Sequence, residues 1–571
     1  MLQHFVTMRI FGVLFVFLTG INAWASPLEN PSTIPGSYTF ASIIDSTTGI
    51  PLFAVDDSDS LEFFDNGTFE YALQAKSLRA VGTYQVADDT LFLKYSVPSD
   101  TLRKYKLTFA NDTLILHESG VQYVFVSKSR QSEILPPHDD WHWTAAVKGM
   151  MGITVLILMG FVFSNNRRKI KWSLVAKGLS VQIVFALAIL KLGWVRDGFE
   201  SVSKVFVTIL SFSRYGAEFL FGSLIQNTDS FGYIFAFQVL PTVIFFSALT
   251  SLLFYFGILQ KVVLAFAWLM RRTFKLSGAE SLSAAGNIFL GQTESPLLIK
   301  PYLERMTNSE LLCVMSGGMA TIAGGVLAAY IGFLGGVDVA SQVFFAKHLI
   351  AASVMSAPAA IISAKMLYPE TQPVREEAHV SSDSMGSNAL EAISNGTTDG
   401  LKLAINVGAM LLVFIAFIYM FNAFFRDVLG GFTGINEWIV SISNGQYDGL
   451  TLQAILGYTL APLTWLMGVA KEDVVLVGQL LGEKTILNEF VAYVSLGEMM
   501  EAGMFAQKKS VVIATYILCG FSNFASIGIQ IGGIGALAPS RRSDLSRLGI
   551  RALLAGTMAS LFTAVIVGMI I

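Results

Sequence analysis

Two stretches decide the fold: Ser281-Leu-Ser-Ala-Ala-Gly-Asn287-Ile-Phe-Leu-Gly291-Gln292-Thr293-Glu294-Ser295-Pro296-Leu-Leu-Ile299 and Val474-Val-Leu-Val-Gly-Gln-Leu-Leu-Gly482-Glu-Lys-Thr-Ile-Leu-Asn488-Glu489-Phe490-Val-Ala-Tyr493. Both are apolar enough for a membrane, yet both carry polar and acidic groups in mid-run. An unpaired carboxylate in hydrocarbon costs several kcal/mol, so each must face a cavity, a partner or a ligand. Gly291 and Pro296 bracket the first polar cluster and break a helix there. Non-helical backbone survives at membrane depth only where it lines protein or a water-filled space. Both stretches therefore predict re-entrant hairpins whose tips reach a central site.

Each is followed by an apolar segment with a matching break. The first partner holds Gly317-Gly318-Met-Ala-Thr321-Ile322-Ala-Gly324-Gly325-Val326, and the second holds Cys519-Gly520-Phe521-Ser522-Asn523-Phe524-Ala525-Ser526-Ile-Gly528. A repeated pair of interrupted segments points to the midplane binding site of a transporter. Two kinked structural helices held by Ser and Thr would be a simpler reading, but it leaves two buried glutamates unexplained.

Outward from these stretches, apolar runs lie at about 144–164, 173–194, 231–257, 310–335, 340–367, 398–425, 510–534 and 550–571, which gives eight spans. Arg167-Arg168-Lys169-Ile-Lys171 borders the first and places that end in the cytoplasm. Arg271, Arg272, Lys275, Arg541, Arg542 and Arg547 agree with this orientation, and Lys508-Lys509 opposes it. Residues 369–398 read as a polar cytoplasmic loop, and 200–225 as a mixed segment with an interfacial amphipathic helix. The composition agrees: of 571 residues 53% are hydrophobic and 14% charged, far fewer charges than a soluble domain carries. A net charge of −3 makes no case for nucleic acid as a partner. The two cysteines, Cys313 and Cys519, fall in apolar runs and read as packing.

The N-terminus differs in kind. Arg9, the apolar run Ile10–Leu18 and Ala23-Trp-Ala25 read as a signal peptide over 1–25. Residues 26–135 alternate with period two between Asn-Gly and Asp-Asp turns, as in Asp65-Asn-Gly-Thr-Phe-Glu-Tyr and Thr90-Leu-Phe-Leu-Lys-Tyr. They predict a small, exported, antiparallel, lipocalin-like barrel or sandwich of about seven or eight strands. The sequence suggests no partner for it. A linker over 136–143 leads to the membrane domain, 144–571.

Several strings resemble the concentrative nucleoside transporters across roughly residues 145–571: Gly291-Gln-Thr-Glu-Ser-Pro, Met306-Thr-x-Ser-Glu310, Ala320-Thr-Ile-Ala-Gly-Gly-Val, Gly482-x-Lys484-x-x-x-Asn488-Glu-Phe-Val-Ala-Tyr493 and Gly520-Phe-x-Asn-Phe-x-Ser-Ile. The resemblance implies eight spans plus two opposed hairpins in an inverted repeat, a homotrimer, and sodium-driven nucleoside import by alternating access across the plasma membrane. It implies that Gln292, Thr293 and Glu294 face the nucleobase, with Val326 and Phe521 packing on base and sugar. Glu489, Asn523 and Ser526 match ribose-binding positions; a carboxylate suits a diol because it accepts from two hydroxyls at once. The ion, Na+, maps to the side chains of Asn287 and Thr321 and the carbonyls of Leu290 and Ile322. Oxygen ligands suit a hard cation. The β-rich domain lies outside the family's common core. Proton coupling through Glu294 or Glu489, or a different polar solute, stays open on the residues alone. A sensor lacks an output domain in the short 369–398 loop. An enzyme is not expected, because no nucleophile, base and orienting group come together.

Overall fold

The computed structural model describes residues 36–45, 60–63, 68–73, 78–87, 90–97, 101–110, 113–118, 121–127, 143–226, 234–336, 338–373, 387–443 and 445–571. The expected signal peptide, residues 1–25, and linker residues 136–142 lie outside them. The chain forms two compact units, residues 22–138 and the remainder.

The first unit is a closed antiparallel barrel of eight strands, each paired with its neighbour in sequence. They are β1 Gly36–Asp45, β2 Ser60–Phe63, β3 Thr68–Leu73, β4 Leu78–Ala87, β5 Thr90–Val97, β6 Thr101–Ala110, β7 Thr113–Glu118 and β8 Val121–Ser127. Pairing of β1 with β8 closes it and leaves no free edge. The period-two pattern sets the interior: Leu61, Phe63, Leu91, Leu93, Leu114 and Leu116 are buried. Tyr71, Tyr95, Tyr105 and Tyr123 line an internal cavity of about 160 Å³. The hydroxyls of Tyr95 and Tyr105 meet at 3.3 Å, and burial pushes both phenols above their ordinary pKa.

The second unit is helical. Among the described residues its α-helices of nine or more residues are α1 Trp143–Val162, α2 Trp172–Lys191, α3 Gly193–Phe221, α4 Leu240–Tyr255, α5 Ile258–Phe274, α6 Gly278–Gly286, α7 Asn308–Ala320, α8 Gly324–Gly335, α9 Val339–Leu367, α10 Ala389–Ala423, α11 Leu452–Leu466, α12 Val474–Ile486, α13 Glu489–Glu501, α14 Lys508–Leu518, α15 Phe524–Leu537 and α16 Arg542–Ile570. Among the described residues seven helical stretches are long and apolar enough to cross a membrane. The remaining one of the eight expected spans, 510–534, is two short helices, α14 and α15, parted at Cys519–Asn523, within the break expected over Cys519–Gly528. The expected loop 369–398 is also shorter than the sequence suggests. Asn388 accepts from Glu391 N at 2.9 Å, and this N-cap starts α10 at Ala389, before the apolar run begins. The 200–225 segment belongs to α3, whose buried positions Ser203, Val207, Leu210, Ser213 and Ala217 make a single stripe.

Burial separates inside from outside. The most apolar windows of α7–α8 and α9 are 89% buried and that of α16 is 78%, against 28% for α1 and α2. The first broken span and the two long helices α9 and α16 therefore sit in the middle, with α1 and α2 outside them. α16 packs on α7, α9, α14 and α15. The two broken spans cross each other at their breaks, where Gly520 has φ +97 and a Cβ would stand 2.6 Å from Ala320 C and O.

That crossing is testable. Gly520→Ala combines a strained left-handed backbone with a backbone clash, costs about 2–3 kcal/mol, and lowers the melting temperature in detergent. Gly528→Ala, with nothing within 4 Å of the added methyl, leaves it unchanged or raised.

Candidate functional site

The first hairpin is α6, a turn through Asn287–Glu294, and a 3-10 helix, Ser295–Arg305. Pro296 and Pro301 remove amide donors from the second arm, which explains its irregular helix. Capping boxes start both α6 (Ser277 with Glu280) and α7 (Thr307 with Glu310). The second hairpin is α12 and α13, joined at Leu487–Asn488, where Asn488 caps α13 by accepting from Val491 N at 2.9 Å.

Glu489 is the first residue of α13, 3% exposed. Three features let a carboxylate sit there. The helix N-terminus offers a positive dipole end. Asn523 Nδ2 donates to one carboxylate oxygen at 2.6 Å. Tyr330 Oη donates to the other at 3.2 Å. Asn523 also caps α15, accepting from Ser526 N at 2.8 Å. Ser526 Oγ in turn accepts from Gln292 Nε2 at 3.2 Å. Gln530 Nε2 donates to Gln292 Oε1 at 3.2 Å and to Met315 O at 2.9 Å. One polar chain thus runs from Tyr330 through Glu489, Asn523, Ser526 and Gln292 to Gln530, and it joins both hairpins to both broken spans.

Glycines let the first hairpin in. A Cβ on Gly318 would lie 2.8 Å from Gln292 Cβ, and one on Gly533 would lie 2.7 Å from Thr293 Cγ2. Glu294 is half-buried and folds back over its own turn, accepting from Gly291 N at 3.0 Å; Thr293 beside it is exposed. Glu294 thus belongs to the hairpin tip rather than to the Glu489 cluster. Val326 lies one helical turn before Tyr330 on α8, and Phe521 follows Gly520; both are buried.

Asn287 ends α6 with Oδ1 and Nδ2 buried and unpartnered, and Gly317 leaves the space it occupies. Capping of the next turn, its plain structural role, is therefore not what the side chain does. Thr321 Oγ1 donates to Gly317 O at 2.9 Å and keeps lone pairs to offer. Gly324 N donates to Phe289 O at 3.1 Å, which ties the Asn287–Leu290 turn to the Thr321–Ala323 break. All four residues expected around the ion are buried at this junction.

Three residues of the neighbourhood were not singled out from the sequence as site residues. Tyr330 and Gln530 each stand four positions after an expected site residue, Val326 and Ser526, on the same helix face. That spacing was a readable signal. The third is Lys484, five positions before Glu489 and of the right charge to pair with it. Instead its ammonium donates to Ile517 O at 2.9 Å, Cys519 O at 3.1 Å and Ser560 Oγ at 3.0 Å, so it ties off carbonyls at the break after α14.

Family models cover most of the helical unit. Residues 151–224 match the Na+ dependent nucleoside transporter N-terminus, 236–337 nucleoside recognition, and 348–568 the Na+ dependent nucleoside transporter C-terminus. An uncharacterized transporter of Haemophilus influenzae is 39% identical over 75% of this chain and 98% of its own length. The chain belongs to the concentrative nucleoside transporter family. Sodium/nucleoside cotransporter 1 of Rattus norvegicus is 40% identical over 73% of this chain and 63% of its own. CNTnw, solved in an inward-facing substrate-bound state, superposes with TM-score 0.68 at 37% identity over 75% of this chain and 98% of that one. As a member of this family the protein is a multi-pass membrane transporter rather than an enzyme, and Na+ is its coupling ion.

Tyr330 carries a prediction within this family. Tyr330→Phe keeps the ring, including its 4.2 Å stack on Tyr493, and removes one bond to the carboxylate. A hydrogen bond to a charged group contributes about 1.5–3 kcal/mol, so uridine uptake should fall roughly tenfold or more in transport efficiency with surface expression unchanged.

Proposed function

We propose that the chain imports nucleosides by sodium-coupled alternating access, with its substrate bound along the Glu489–Asn523–Ser526–Gln292 chain. The observation that carries this is the continuous polar chain at the crossing of two broken spans, deep within an apolar body. Glu489 and Asn523 suit the ribose: each carboxylate oxygen has one protein donor and keeps a lone pair for a substrate hydroxyl. Gln292 offers both a donor and an acceptor to a base edge. Thr293 and Glu294 complete the base-facing tip, and Val326 and Phe521 supply the apolar walls. A site built to pair polar edges rejects a solute that leaves them unpaired.

Na+ is placed at Asn287 and Thr321, with the carbonyls of Leu290 and Ile322. The unpartnered Asn287 amide supports this, since a buried side chain with no bond is costly unless something binds it. The ion lies on the same hairpin as Gln292, so its binding orders the tip before substrate enters. The hairpins and broken spans move as a body against the outer helices. CNTnw has been solved in inward-facing, outward-facing and intermediate states, which supports such a cycle in this family. The split eighth span, a homotrimer in the plasma membrane, and an exported lipocalin-like barrel complete the proposal.

Two measurements test it. Glu489→Gln keeps an acceptor for Asn523 but loses the charge, so uridine uptake in a transport-null host should vanish while expression survives; near-normal uptake removes the ribose assignment. Replacing sodium by choline at fixed pH should abolish accumulation, and undiminished accumulation would transfer the coupling to protons.

A further inference from the structure

A second cavity, about 160 Å³ and in the helical unit, opens between the start of α2, the end of α5 and the end of α9. Its rim carries Lys169, Lys171, Lys177 and Lys275, all exposed. None of the four has an ion-pair partner among the described residues. The two carboxylates on the cavity wall are already engaged. Glu280 pairs with the buried Lys365, and Glu370 accepts from Thr307 Oγ1 at 2.6 Å and lies 3.7 Å from the same lysine. Four free cations therefore converge on one opening. Much of the remaining lining is apolar: Ile170, Val175, Phe274 and Leu276 are buried there.

The flanks fix the depth of this opening. Trp172 and Trp268 are 48% and 62% exposed. Trp172 stacks against Phe161 at 6.4 Å. Arg272 lies over the Trp268 ring at 5.7 Å. Exposed tryptophan beside arginine and lysine at the end of apolar helices marks the headgroup layer of a bilayer. A soluble anion would need the cations alone. A ligand that also uses the apolar wall, at headgroup depth, is a phospholipid.

We propose that this cavity binds an anionic phospholipid, its phosphate among the four lysines and its glycerol and upper acyl chain on the Ile170–Phe274 wall. The site lies at the base of the first hairpin, because Glu280 belongs to α6, and it is distinct from the polar chain around Glu489. Basic pockets between helices at the membrane edge favour anionic headgroups by about 1 kcal/mol per lysine, which is about fivefold each.

The test uses purified full-length protein in detergent. Native mass spectrometry reads bound lipid, with phosphatidylglycerol, phosphatidylcholine and inorganic phosphate as probes. Wild type should retain phosphatidylglycerol over phosphatidylcholine. Lys177→Gln with Lys275→Gly should lose about 25-fold of that preference, from two lysines. Lys275 is well suited to this, since it is the one non-glycine residue with positive φ (53°) among those described. Glycine there relaxes the backbone, so loss of lipid cannot be ascribed to a weakened fold. The double variant Lys177→Arg with Lys275→Arg should keep the preference. Equal retention of both lipids by wild type, an unchanged preference in the Gln/Gly variant, or full competition by inorganic phosphate would overturn the assignment. None of these outcomes depends on nucleoside transport.

Discussion

The structure depends on a carboxylate held deep inside a membrane body. Glu489 is buried, yet among the described residues it makes no ion pair with a lysine or arginine. It has a helix start, an asparagine amide and a tyrosine hydroxyl. Neutral donors and a dipole stabilise an anion without cancelling its charge. A salt bridge to Lys484 would have left the acid neutralised and its oxygens occupied by a partner that cannot easily leave. Asn523 and Tyr330 hold it with one bond to each oxygen, which leaves lone pairs for substrate hydroxyls.

Nearly every other feature of the core follows from exposing that acid to a common space. The helices must break to bring α13 and α15 end to end, and each break frees backbone groups that need new partners. Asn488 and Asn523 cap the restarted helices. Lys484 satisfies the carbonyls of Ile517 and Cys519. Gly520 allows the second break to lie on the first at Ala320. The lysine that looked like a counter-ion is thus a support for the break itself. Acid and base five residues apart serve two separate parts of one crossing.

The sequence displayed the part of this that lies in residue type, and it hid the part that lies in direction. Polar groups in mid-run, glycine pairs and proline marked both hairpins and both broken spans, and period-two alternation marked the barrel strands. Hydropathy counted 510–534 as one span, while the polar and glycine run from Cys519 marked a break inside it; the fold puts that break at Cys519–Asn523. It also read 369–398 as loop, since the first turns of α10 are polar and only the Asn388 cap reveals their start. Within the site, Glu294 and Glu489 looked equivalent as buried acids. Their difference is one of backbone: Glu489 opens a helix and looks across to α15, while Glu294 closes its own turn onto Gly291. Tyr330 and Gln530 lay four residues from expected positions and were accessible to a helical-face argument.

The two ends of the first hairpin also show why such a segment can be both polar and well anchored. Its base is tied by charge: Glu280 to Lys365, which also donates to Ser309 Oγ at 3.0 Å on α7. Its tip is tied by neutral bonds: Gln292 to Ser526 and Gln530, and the Asn287 turn to Gly324. Breaking a buried ion pair leaves an uncompensated charge and costs several kcal/mol, whereas each neutral bond contributes about 1 kcal/mol net. The hairpin is therefore stiff where it meets α7 and α9 and soft where it meets α15. That gradient follows from which side chains were placed at each end, and it puts any rearrangement at the tip, between Gln292 and α15, where the polar chain crosses from the first hairpin to the second broken span.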